Sequence, residues 1–257
     1  MPKRRLAVVA ALLLPLSPAL AADLPAGNCA APKAATDLSH CDFSRRKLAG
    51  LDLHGVRLAG AKLESADLRK ARLAGADLRG INGKWANFTG AVLAAADLRD
   101  ADLFHATFDA ADLTGARLSG AYLFGANLID AKAQRADFSG AYLKDVLMEG
   151  IDLSGGSLRN CYTFRGVFSG ARLLGTDLSG ADLTGAAMDQ VDFSHANLKG
   201  TRLAGAILRQ AVFFKADLER ASFSNADVWG ARFEQAINPD PSVAEAAIEP
   251  FVVRGRR

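Results

Sequence analysis

A five-residue period runs from Leu38 to Phe233 without an insertion, and neither regular element can carry it as a flat face. Five steps along a helix spread the apolar residues around its axis, and an odd step along a strand alternates its faces. The chain must therefore turn once per repeat. Of the forty central positions, thirty-four are Leu or Phe, and the slot two residues earlier, from Thr36 to Ala231, is Ala in twenty-six. Asp or Asn is frequent between these two, and Gly is frequent two residues after the centre, so the phrase reads A(D/N)LXX. If each pentapeptide forms one side of a square coil, the central residue and the small residue before it point inward. The Gly position then supplies the backbone freedom that a turn needs.

This phrase, unbroken over residues 36–235, resembles that of the pentapeptide-repeat family. The resemblance implies an all-β fold, a right-handed quadrilateral parallel β-helix with four repeats per coil and about ten coils. At the usual strand spacing of about 4.8 Å, such a rod is roughly 48 Å long. In several members of the family a C-terminal end makes a dimer. The best-known activity in the family is DNA mimicry by acidic cytosolic rods that bind type II topoisomerase, which gives an alternative function for this chain.

The ends carry different signals. Residues 1–21 place Lys3, Arg4 and Arg5 before a short apolar run and small residues at Ala19 and Ala21, the layout of a cleaved secretory signal. With Pro15 and Pro18 inside it, that run is expected to be removed, leaving no integral membrane anchor and a periplasmic or secreted protein. Residues 22–35 are expected to cap the first coil, whose inward slots hold the larger Cys41, Arg46 and Leu51. Residues 236–257 read as a turn, a cap helix starting near Asp240 or Ser242, and a tail.

Lys3, Arg4 and Arg5 supply the whole excess of 31 basic over 28 acidic residues, so the mature chain is neutral. Nothing in that balance attracts nucleic acid, which needs clustered Lys and Arg, and it departs from an acidic DNA mimic. Export permits oxidation, and Cys29 and Cys41 are either a disulfide or two free thiols. Cys161 falls on a small inward slot.

No catalytic constellation, metal set or cofactor motif stands out, so a non-enzymatic protein is expected. His40, His54, His105 and His195 are scattered over different coils and read as solvated. Asp is the frequent residue just before the central position, where bonding to local backbone is a sufficient reason for it. Residues twenty apart stack, and one column alternates Asp112, Lys132, Asp152, Arg172 and Asp192, which makes it self-neutralising.

Another column differs. Tyr122, Tyr142 and Tyr162 occupy one outward position in successive coils, with Phe104, Phe124 and Phe164 across the central ladder. On the adjoining face Leu147, Val167, Ala187 and Ile207 replace the usual polar residue. Two readings stand: a contact surface for a protein partner or a second copy, and ladder stacking that needs no ligand. Beneath it the interior is irregular, with Val146, Ile151, Gly156, Cys161 and Gly166 in the small slot and Met148 and Thr163 at the centre. Around NCYTFRGVF (160–168), either Thr163 or, through a bulge, Phe164 turns inward. Gly83 reads as a local thinning or kink.

Overall fold

The computed structural model describes residues 24–239. The expected signal at 1–21 and the cap helix near Asp240 or Ser242 lie outside them. Among the described residues no helix is long and apolar enough to cross a membrane.

The chain forms a β-helix in which each pentapeptide makes a single-residue parallel bridge to the residue twenty positions on. From Asp37 with Arg57 to Asp217 with Ile237 this spacing never changes, and the bridges fall into four columns, one per side of the coil. The repeat is explained by where its backbone groups go. In the repeat Ala76–Gly80, Ala76 N donates to Leu73 O and closes a four-residue turn. Asp77 N donates to Val56 O in the coil below, while Leu78 N and Gly80 N donate to Asp97 O and Arg99 O in the coil above. One amide remains, that of Arg79, and the Asp77 carboxylate accepts it at 3.3 Å. The same bond recurs at Ser39, Ser44, Thr114, Ser139, Ser154, Ser179 and Ser194. Asp or Asn at the second position thus satisfies the donor that the β-helix leaves over.

The fifth position of the repeat has positive φ with one exception, as the third residue of a type II turn requires. Glycine suits that region, but Trp85, Ala95, His105, Arg165 and others also occupy it, with φ between 50° and 60°. Among the fifth positions from Ala35 to Gln235, only His40 lacks positive φ.

Inside, the first and third positions form the core, with Phe88 stacked on Phe108 and Phe193 on Phe213 at centroid separations of 4.7 and 4.9 Å. Irregular slots are filled by compensation. Gly83 keeps the coil register, with Gly83 N bonded to Asp102 O, and a Cβ there would meet Leu103 and Ile81. The expected kink is therefore absent, because Ile81 and Leu103 occupy the space of the missing side chain. Val146 and the Phe168 ring occupy the space at Gly166 in the same way.

At the N-terminal end Pro25 and Gly27 exchange backbone bonds with Asp37, and a disulfide joins Cys29 to Cys41 with Cα atoms 5.6 Å apart. Cys41 is buried, but Arg46 and Leu51 are exposed, contrary to the inward placement their slots suggest. The N-terminal segment pairs along the Asp37 side and leaves these two without a neighbour beneath.

Candidate functional site

The register decides where NCYTFRGVF points. Thr163 is wholly buried, and its Oγ1 donates to Asp182 O at 2.8 Å, while Cys161 Sγ donates to Phe138 O. Tyr162 and Phe164 lie half-buried on the outside. No bulge forms, because a threonine hydroxyl can use a carbonyl already present at the coil edge. Burial pushes the Cys161 thiol up to about 12, which makes it an inert core residue.

Outside, Tyr122 stacks on Tyr142 at 5.1 Å and Tyr142 on Tyr162 at 5.2 Å. Phe104 stacks on Phe124 at 5.5 Å and lies 6.4 Å from Tyr122. Phe164 joins the tyrosines through Tyr162 at 6.3 Å. It does not reach Phe124, because Lys144 intervenes with its Nζ 5.6 Å from the Phe124 centroid. With the rings stacked along the rod axis, much of each face is used by a neighbouring ring.

Two further residues belong to this surface. Trp85 is 54% exposed and lies flat on His105, with centroids 4.4 Å apart and planes 5° apart, and its edge packs on Phe104 at 5.4 Å. His105 in turn packs on Phe104 and Phe124 at 4.3 and 5.7 Å. It is part of the aromatic cluster and not a solvated surface histidine, because its neighbour one coil on is Gly125, whose missing Cβ would lie 2.5 Å from the ring. The signal was available in the sequence: the twenty-residue column through the turn positions runs Ser65, Trp85, His105, Gly125, Asp145 and Arg165.

A shallow groove connects the two faces. His105, Phe124, Gly125, Asp145, Leu147, Arg165 and Val167 line it, and Arg165 Nε donates to Asp145 Oδ1 at 2.9 Å within that lining. Leu147 and Val167 therefore join the aromatic surface. Ile207 continues their bridge column past Ala187 and is 38% exposed, but it stands two coils beyond the groove. On these faces the chain gives up its usual carboxylate: no side chain caps the amides of Phe124, Lys144, Phe164, Glu149, Ser169 or Arg209 among the described residues.

Elsewhere charged residues dominate the second position, and several of them form ion pairs. Arg57 bonds Asp37 and Arg202 bonds Asp182 one coil away, and Arg69, Arg79 and Arg99 bond the Asp two residues before them. The Arg69 guanidinium holds Asp67 down to about 2. In the alternating column only Arg172 and Asp152 approach, at 4.0 Å, and Gln134 takes a carboxylate oxygen of Asp152 as well. Such exposed pairs contribute at most tenths of a kcal/mol each.

The pentapeptide-repeat model matches eight copies over 36–75, 66–103, 84–123, 121–160, 167–200 and 192–230. The chain belongs to the pentapeptide-repeat family. Among solved structures it is similar to HetL, a pentapeptide-repeat protein involved in heterocyst differentiation regulation from the cyanobacterium Nostoc sp. strain PCC 7120. That match has 30% identity over 82% of this chain and 94% of HetL, with a TM-score of 0.52. QnrB1, a plasmid-mediated fluoroquinolone resistance protein, matches at 20% identity over 70% of this chain and 87% of its own, with a TM-score of 0.36. No curated protein sequence matches the chain.

Proposed function

We propose that this chain is a non-enzymatic, exported β-helical rod of about ten coils that holds a protein partner, or a second copy of itself, through its aromatic face. The observation that carries this reading is the loss of the amide-capping Asp along two adjoining faces, where Tyr122, Tyr142 and Tyr162 and then Leu147, Val167 and Ile207 replace it. The backbone does not ask for these residues. Trp85, His105 and Arg165 also stand at that surface in turn positions where the fold imposes positive φ and glycine is the usual residue. The groove sets Arg165 beside Phe124, and aromatic residues and Arg are the types enriched at protein contacts. Neutral, paired charge over the other columns speaks against an acidic DNA mimic, and the N-terminal signal supports the periplasm or the exterior as its compartment.

The test replaces Phe124 and Tyr142 with Ser in the full chain. Sedimentation and crosslinking in the fraction where the protein resides are expected to show weaker association than the parent at unchanged far-UV dichroism. Association equal to that of the parent would refute the aromatic face as the contact.

A further inference from the structure

The disulfide at the N-terminal end has a third donor beside it. Cys29 Sγ, Cys41 Sγ and a ring nitrogen of His40 all lie within 4.8 Å of one another, with His40 Nε2 3.8 Å from Cys41 Sγ. The backbone at His40 is unlike that of every other fifth position from Ala35 to Gln235, since they have positive φ and His40 does not. Its altered turn directs the ring toward the sulfur of the next residue. Cys41 is buried, Cys29 half-buried and His40 exposed, so the cluster lies at the solvent edge of the rod.

We propose that the reduced chain binds one Zn²⁺ through Cys29, His40 and Cys41, and that metal and disulfide are mutually exclusive states of this end of the rod. Tetrahedral zinc has Zn–S near 2.3 Å and Zn–N near 2.0 Å, which sets sulfur to nitrogen at about 3.5 Å and sulfur to sulfur at about 3.8 Å. The His40 to Cys41 separation of 3.8 Å is within a few tenths of an ångström of the first value. Rotation of the two cysteine side chains reaches the second, since the Cα atoms stand 5.6 Å apart. The fourth position falls on the solvent side and takes water.

The chemistry balances simply. A dithiol reductant gives the disulfide two electrons and two protons, leaving two thiols, and closes to its own disulfide. Zinc then displaces one proton from each thiol, and the neutral imidazole contributes its Nε2 lone pair. Two thiolates and one imidazole form a borderline-soft donor set that suits zinc and offers little to magnesium or calcium.

The experiment uses the full chain carrying Cys161→Ala, which leaves only the two relevant thiols and puts the repeat's usual residue in that slot. After reduction under anaerobic conditions it is titrated with Co²⁺ as a spectroscopic stand-in for Zn²⁺. One ion per chain, a thiolate-to-cobalt charge-transfer band, bleaching by Zn²⁺, and no band in the oxidised chain are expected. His40→Ala is expected to lose saturation at the same cobalt concentration, and Cys29→Ser to lose the band, both with the far-UV spectrum of the parent. A reduced parent without the band overturns the proposal, as does His40→Ala binding like the parent. So does saturation at half an ion per chain, which would mean a four-thiolate site between two copies.

Discussion

Ala95 lies at a fifth position with φ 55° and an exposed methyl group, so it isolates what the left-handed turn costs a residue with a Cβ. That conformation costs roughly 1–2 kcal/mol, and the greater freedom of glycine in the unfolded chain takes back about 0.4–1 kcal/mol. Ala95→Gly should therefore stabilise the rod by about 0.5–1 kcal/mol, because removing an exposed methyl group takes little packing with it. Trp85 has the same backbone strain at φ 58°, but its ring lies on His105 and against Phe104. Aromatic pairs of this kind contribute roughly 0.5–1.5 kcal/mol, so Trp85→Gly should come out near zero. Urea unfolding followed by far-UV dichroism measures both, with equal slopes required because a repeat array need not unfold in one step. Ala110→Gly, at φ 52° and also exposed, should add to Ala95→Gly. A lower midpoint for Ala95→Gly would refute the reasoning. So would a Trp85→Gly gain as large as that of Ala95→Gly, since the stacked rings would then contribute nothing.

Burial raises the pKa of Asp109, and the nearby Asp130 and Glu149 push it further in the same direction. A carboxyl held above its unfolded value favours the fold most at low pH and loses that contribution as pH rises through the folded value. Asp109→Asn should therefore raise the melting temperature at pH 7 and leave it nearly unchanged at pH 3, as calorimetry at the two pH values would register. Cys161, with its thiol at about 12 and its side chain buried, should not react with a thiol reagent in the native protein and should titrate as one thiol after denaturation without reductant. A native signal of one thiol per chain would contradict the burial.

Most of the fold was legible because the period leaves so little freedom. The count of five between Leu38 and Phe233 has no insertion, and the bridges follow it at twenty residues throughout. Asp77 and its equivalents were legible as backbone partners because an Asp or Asn that recurs so often before the central residue calls for a local cause. Arg46 and Leu51 were misplaced for the converse reason: position in the phrase predicts an inward slot, but burial also needs a coil beneath, and the phrase does not say which sides the N-terminal segment covers. Gly83 read as a break because a missing central side chain suggests thinning. The structure fills that space from Ile81, which is large in the slot where Ala is usual, so the compensation was written two residues away.

The site was half legible. Tyr122, Tyr142 and Tyr162 stand out because they replace Asp, but Trp85 and His105 sit in the turn position, where a residue reads as a substitute for glycine. The remaining question is whether the exposed aromatics serve the rod or a partner, and a change in stability at the tyrosines does not separate the two, since stacking gives some stability back. Val167 can. It forgoes the cap on Ser169 N, it is aliphatic, and it lies half-buried in the groove beside Leu147. Val167→Asn restores a capping amide oxygen, worth about 0.5–1.5 kcal/mol for a hydrogen bond made, against weaker aliphatic packing of similar size. If the residue serves a partner, the unfolding free energy from urea stays within about 0.5 kcal/mol of the parent, as for most surface changes, while association measured by sedimentation weakens. If it drops well beyond that and association is unchanged, Val167 serves the rod, and the apolar face has to be explained by folding alone.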